Sequence, residues 1–303
     1  FLIGAYYLRL LIIMGYSFFV YTPNFHFKLP KSMMPLLRYS GLIFLSGTAA
    51  SFILDIDKSM IYSLTSDANV AFYAVAIYIA AVIEAPGRAM FQITSPLVAE
   101  ALNSKNKVRL ESLLKKSSIN LMIVSGLLFL IINLNLEDFY NIINQQGYES
   151  AIGVVVIVSL GKLFTMSMGC LNNIISNSKH YSYVFWFSIS SAILAVFLNY
   201  IFIKEYGILG AAFATLIVII FINSCKILLV NYLFKIHPYS SKTLSVLLVI
   251  SLIYILIYSL PSIFNPWLSI PLRSLFIIGL FCIPLFRFSL SKEIETLFQK
   301  LIK

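Results

Sequence analysis

Nine runs of apolar residues follow one another along the chain, at roughly 1–21, 36–56, 69–100, 117–136, 151–175, 182–203, 207–230, 243–260 and 267–288. Each is close to the ~20 residues that a helix needs to cross a hydrocarbon core about 30 Å thick. No aqueous core could hide so much apolar surface, because 60% of the 303 residues are hydrophobic and 11% are charged. The mean hydropathy is +0.91, whereas soluble domains are only about half apolar and roughly a quarter charged. Within lipid, each backbone N–H and C=O must find its partner inside the protein, which leaves helices or closed barrels. Runs of this length select the helix. The predicted fold class is therefore all-α, a polytopic transmembrane helix bundle of about nine spans with no soluble domain.

Lys and Arg set the predicted sidedness, since they gather on the cytoplasmic face. Alternate connectors carry Lys28, Lys31 and Arg38; Lys105, Lys107, Arg109, Lys115 and Lys116; Lys179; Lys226, Lys235 and Lys242; and Arg287, Lys292, Lys300 and Lys303, sixteen in all. The other connectors carry three, Lys58, Lys204 and Arg273. The acids lean the opposite way, with Asp55, Asp57, Asp67, Glu137, Asp138, Glu149 and Glu205 in the poorly basic connectors. One misplaced span would invert every later connector and erase this bias. The basic side, with the C-terminus, is predicted to be cytoplasmic.

The net charge of +10 fits cationic loops held against an anionic leaflet. No loop is long enough for a nucleic-acid-binding module. The longest outer connectors, near 57–68 and 137–150, hold about a dozen residues each, too few for an extramembrane catalytic domain, so the chain is not expected to be an enzyme. Cys170, Cys225 and Cys282 each lie alone in an apolar run and form neither a disulfide framework nor a zinc site. His26, His180 and His237 are far apart and lack metal-ligand spacing. No metal or cofactor is expected.

Two segments read as interfacial. Residues 103–116 are basic with Leu110, Leu113 and Leu114 on one stripe, and the tail places Ile294, Leu297, Phe298, Leu301 and Ile302 on one helical face. The chain opens on Phe1, already inside a hydrophobic run without the charged start or cleavage site of a signal peptide. Residues 1–21 are thus expected to be part of a helix of a longer protein.

An ionisable group inside a span is costly and marks a functional position by default. Arg9 lies within the first run, either facing an internal cavity or pairing with an acid on another helix. Glu84 and Arg88 stand four residues apart, and Gln92 and Ser95 continue their stripe. Pro86 and Gly87 lie between the two charges and should kink the helix. A kinked helix carrying charge is the kind that lines transporter sites. Arg88 is assigned to such a cavity and Glu84 to an ion pair with it, although a purely structural pair holding the kink has the same spacing. Lys162 lies deep in the fifth run, with Gly169 and Asn173 on its face at i+7 and i+11 and with Asn172 and Ser176 beside them. It is either a second cavity cation or one member of a buried ion pair. Small residues cluster at Gly207, Gly210, Ala211, Ala212 and Ala214, and at Ser46, Gly47, Ala49, Ala50 and Ser51, where helices can approach closely.

The stretch 199–215, NYIFIKEYGILGAAFAT, resembles the short outer turn joining two late helices in polysaccharide flippases of the multidrug/oligosaccharidyl-lipid/polysaccharide exporter superfamily. Gly207 and Gly210 carry the match. Residues 92–100, QITSPLVAE, with the basic loop after them, are similar to the end of the eighth helix of lipopolysaccharide exporters, and residues 169–181, GCLNNIISNSKHY, to the tenth helix and its cytoplasmic exit. The resemblance covers most of residues 35–235. It implies two six-helix lobes followed by two further helices, of which this chain holds the C-terminal part. Residues 1–21 would then end an N-terminal lobe, 22–35 would be a cytoplasmic linker, 36–235 the C-terminal lobe, 236–288 two additional helices, and 289–303 a cytoplasmic amphipathic tail. It further implies alternating access to a cationic cavity that receives the diphosphate of an undecaprenyl-linked oligosaccharide, a precursor of O-antigen, capsule or exopolysaccharide, in the bacterial inner membrane. Implied partners are that lipid-linked substrate, membrane lipids, the N-terminal lobe and glycan polymerase or ligase machinery. Arg88, Lys162, Arg9, Glu84, Gln92, Asn172 and Asn173 are the candidate cavity residues. A drug or cation antiporter of the same superfamily would need a titrating intramembrane carboxylate, for which Glu84 is the clear candidate. A membrane-embedded glycan ligase or polymerase would need a larger outer loop.

Overall fold

The structure, a computed structural model, describes residues 2–21, 33–143, 147–259 and 265–288, with Leu290, Ser291, Glu293 and Thr296 of the tail. The linker up to residue 32 and the apolar stripe of the tail lie outside the described residues. The chain divides into two units, Phe1–Gly41 and Leu42–Lys303. The first holds α1 (Leu2–Tyr21) and the opening of α2 (Met34–Leu64). In α1, Leu8, Leu11, Ile12, Met14 and Phe19 are all exposed, and so is Arg9. A helix that is apolar all round belongs in a membrane or a large core.

The second unit contains the rest of α2, then α3 (Asp67–Ala81), α4 (Ala85–Asn103), α5 (Lys107–Asn133), α6 (Leu136–Ile143), α7 (Ile152–Ser167), α8 (Leu171–Asn177), α9 (Ser182–Phe234), α10 (Ser241–Tyr258) and α11 (Pro266–Arg287). No strand occurs among the described residues. Five helical stretches, Asp67–Asn103, Lys107–Asn133, Ser182–Phe234, Ser241–Tyr258 and Pro266–Arg287, are long and apolar enough to cross a membrane. The bent pair Ile152–Ser167 and Leu171–Asn177 would make a sixth. Leu228, Leu252, Ile255, Leu275 and Ile283 point outward from α9, α10 and α11. These outward faces are apolar, as expected of helices that lie against lipid.

Helix α9 is a hairpin. Fifty-three residues in a straight line would extend about 80 Å at 1.5 Å per residue. At Gly207, however, the backbone leaves the helix with φ 57 and ψ −133. A side chain at Gly210 would run into the carbonyl of Phe202, although eight residues of straight helix would separate the two by about 12 Å. Ala195 packs with Val218, and Lys226 lies over the Phe187 ring. These pairs sit at nearly equal sequence distances either side of Gly207, so residues 182–206 and 208–234 run antiparallel.

Two other breaks are closed by serines of α5. A 3₁₀ turn, Val82–Glu84, separates α3 from α4 ahead of Pro86, and Ser125 donates to the freed Ile83 carbonyl at 2.9 Å. Between α7 and α8 the chain bends by 58°, with Gly169 at φ +60. There Ser118 donates to the Ser167 carbonyl at 2.5 Å, and the Cys170 N–H donates to Ser117 at 2.9 Å. Broken helices persist in membranes only where side chains re-satisfy the backbone in this way.

Helix α7 sits at the centre, packed on α3, α5 and α9. Ala211 and Ala212 of α9 are fully buried in the core with Val154, Val155 and Val158 of α7, so the small residues do bring these backbones together. The sequence-based boundary at 117 differs from the structure. Asn106 caps α5 by accepting from the Arg109 N–H, and no breaker follows before Asn133, so the basic segment is the first part of the α5 helix. Its Leu110 and Leu114 pack on Val98, Leu171 and Ile174 rather than on a membrane surface.

The two ends of the second unit are tied by polar contacts. Near the start of α5, Lys116 pairs with Glu293 at 2.7 Å, and Ser291 donates to Asn120 at 2.6 Å. Past its end, Asp138 pairs with Arg273 at 2.9 Å, and Asn135 donates to Ser274 at 3.2 Å. Each contact joins segments that the Lys and Arg count assigns to one side, so helices α5 and α11 run antiparallel.

Candidate functional site

A cavity of about 190 Å³ lies inside the second unit, lined by Asp57, Tyr73, Glu84, Lys162, Thr165 and Thr215 among others. These groups come from α2, α3, the 3₁₀ turn, α7 and α9. Asp57 is buried and accepts three hydrogen bonds from neutral donors: Tyr73 at 3.0 Å, Thr215 at 2.9 Å and Asn199 at 2.5 Å. A carboxylate offers about four acceptor positions, so one remains. Asn199 Oδ1 is also buried and has no hydrogen-bond partner. Asp57 thus keeps one open acceptor position, and the Asn199 oxygen beside it has no hydrogen-bond donor among the described residues.

Glu84 and Lys162 form an ion pair at 2.9 Å, with side-chain exposures of 28% and 14%. The sequence spacing suggested Arg88 as the partner of Glu84. The 3₁₀ turn explains the difference, because Glu84 ends a tighter helix and the four-residue register with α4 begins only after it. Lys162 is thus brought to an acid on another element, which is one of the two readings its sequence allowed. With both carboxylates and the ammonium ionised, the cavity holds one surplus negative charge.

Arg88 and Gln92 share an exposed face of α4, and neither makes a hydrogen bond or ion pair with a described residue. Arg88 lies about 22 Å from the nearer end of the Asp67–Asn103 stretch at 1.5 Å per residue. Arg9 belongs to the other unit. Asn173 is not on the Lys162 face, because the 58° bend turns α8 away. Its amide donates instead to the Phe91 carbonyl at 2.9 Å and to Thr94 at 3.1 Å, tying α8 to α4. Asn172 and Asn173 line a second cavity, of about 220 Å³, with Ser176, Val184, Phe187 and Lys226. Lys226, counted with a basic connector, lies within the second arm of α9.

No protein-family model, curated protein or solved structure matches the chain. The site therefore rests on geometry. Among the described residues, no three His, Cys, Asp or Glu side chains stand together as metal ligands. A cavity of about 730 Å³ lies between the ends of α5, α7, α10 and α11, where Arg273 is already held by Asp138 and by the Leu134 carbonyl at 2.7 Å.

Asp57 is the residue that sequence reasoning missed. Two other acids, Asp55 and Asp67, stand close by, so it read as one of a group of connector charges. Helix α2 continues to Leu64 and carries it inward. Its partners lie 16, 142 and 158 residues away, beyond the reach of any local pattern.

Proposed function

We propose that this protein is a flippase of the multidrug/oligosaccharidyl-lipid/polysaccharide exporter type. It carries a lipid-linked oligosaccharide across the bacterial inner membrane by alternating access. The observation that carries the reading is Arg88, an exposed cation without a described partner at the middle of a membrane-spanning stretch. Hydrocarbon does not tolerate that group, so its face of α4 borders a water-filled cavity or another part of the protein. Gln92, one turn on, extends a polar strip along the same face. A guanidinium there is suited to a diphosphate, which it can meet through two parallel hydrogen bonds. Nine spans, with α9 contributing two, and a cytoplasmic C-terminus belong to this reading. It is supported by the charge asymmetry and by the same-side contacts of Lys116 with Glu293 and of Asp138 with Arg273.

The ion pair narrows the part that Lys162 plays. Its charge is neutralised by Glu84, so Arg88 carries the anion-binding role, and Lys162 fixes the break between α3 and α4. The test is export of surface glycan in the protein as the cell makes it. Arg88→Ala should lower export at least about tenfold, the loss of roughly 1.4 kcal/mol or more of differential binding, with normal abundance in the membrane. Arg88→Lys should keep part of the activity. Wild-type export by Arg88→Ala would contradict the assignment.

A specific observation favours a second reading, a cation-coupled antiporter of the same superfamily. Asp57, with the unpartnered Asn199 Oδ1 beside it, offers oxygen ligands to a proton or a monovalent cation, and such carboxylates serve as relays in pumps and transporters. A flippase could use the same group for coupling, so Asp57→Asn alone does not separate the readings. A strain lacking the protein does. Lipid-linked glycan accumulating on the inner leaflet favours the flippase. Altered drug or cation tolerance with normal surface glycan favours the antiporter.

A further inference from the structure

The 220 Å³ cavity between α8 and the two arms of α9 is separate from the Asp57 cavity and shares no lining residue with it. Lys226 enters it about 12 Å before the end of the second arm, at 1.5 Å per residue. No carboxylate of a described residue lies within ion-pair distance of Lys226, and none of those residues accepts a hydrogen bond from it. Its recorded contact is the Phe187 ring, 6.0 Å from ammonium to centroid, at the outer limit of a cation–π interaction. Across the cavity, the Asn173 amide is engaged by Phe91 and Thr94. The Asn172 amide is not hydrogen-bonded to any described residue. The site therefore presents an unpaired ammonium and a free amide donor, with no acid to balance them. A half-buried cation with no acid partner among the described residues favours a counter-charge, and the available chemistry suits an anion with several acceptor oxygens.

We propose that Lys226 and Asn172 form a binding site for a phosphate group. At about 30 Å³ per water, the cavity has room for a phosphate and its ester oxygens but not for a glycan chain. Lys179 follows the end of α8 and Lys235 ends the second arm of α9, and basic residues at helix ends concentrate phosphate esters at a membrane surface. The phosphate can belong to the head group of an anionic phospholipid or to a soluble phosphate. The site does not depend on the flippase reading.

The test is thermal unfolding of the full chain in neutral detergent. The additions are phosphatidylglycerol, phosphatidylcholine, and inorganic phosphate against chloride at matched ionic strength. Wild type should gain about 5 °C with saturating phosphatidylglycerol or phosphate and nothing with phosphatidylcholine or chloride. A response to the lipid alone identifies a head-group site, and a response to inorganic phosphate identifies a soluble ligand. Lys226→Met should abolish the gain. Without added anion it should melt no lower than wild type, because it removes a half-buried charge that no described acid balances. Asn172→Ala should reduce the gain and covers the case in which Lys226→Met does not fold. Equal responses of wild type and Asn172→Ala, or no response of wild type to either anion, would overturn the proposal.

Discussion

Glu84 and Lys162 hold one another across 78 residues of sequence, and each is costly without the other. Breaking a partly buried pair strands a charge, worth about 3 kcal/mol, whereas removing both charges together strands none. Glu84→Gln should therefore lower the melting temperature in detergent, and adding Lys162→Met should restore most of it. Additive losses in the double variant would show that the two do not interact. The sequence exposed both residues, because a charge inside an apolar run is conspicuous. It did not pair them, because pairing depends on a 3₁₀ turn that no periodicity announces. Asp57 shows the opposite failure. A carboxylate near a helix end looks the same in sequence whether it is solvated or held by Tyr73, Asn199 and Thr215.

Helices α10 and α11 fall within two residues of their apolar runs, and the turn at Gly207 lies where the Gly-rich stretch placed it. Hydropathy reports burial in lipid, and where a helix ends at the membrane surface the two boundaries coincide. They part company where a helix extends beyond its apolar run, as at the start of α5, or breaks within it, as at Gly169. In α9, Gly207 and Gly210 serve different purposes. Gly207 adopts a backbone conformation nearly closed to other residues, with open space around it, so Gly207→Ala carries a strain of about 1–3 kcal/mol. Gly210 has ordinary helical backbone but touches the Phe202 carbonyl, so any side chain must force the two arms apart. Gly210→Val should reduce folded protein in membranes more than Gly207→Ala does, as read by detergent-resistant monomer on size-exclusion chromatography. The reverse order would mean that the close approach of the arms is not what holds the hairpin.

At the scale of the whole molecule, the outward faces of α9, α10 and α11 are apolar while the first turns of α4 expose Arg88 and Gln92. Lipid can cover the former and not the latter. That contrast is the physical basis for reading a bundle of apolar helices as a transporter. Single cysteines in a background lacking Cys170, Cys225 and Cys282 test it in native membranes with a charged, membrane-impermeant thiol reagent. Position 252, on the outer face of α10, serves as the lipid-facing reference. Cysteine at position 88 or 92 should react from at least one side of the membrane, and cysteine at 252 should not. Protection of 88 and 92 equal to that of 252, in folded protein, would contradict the account.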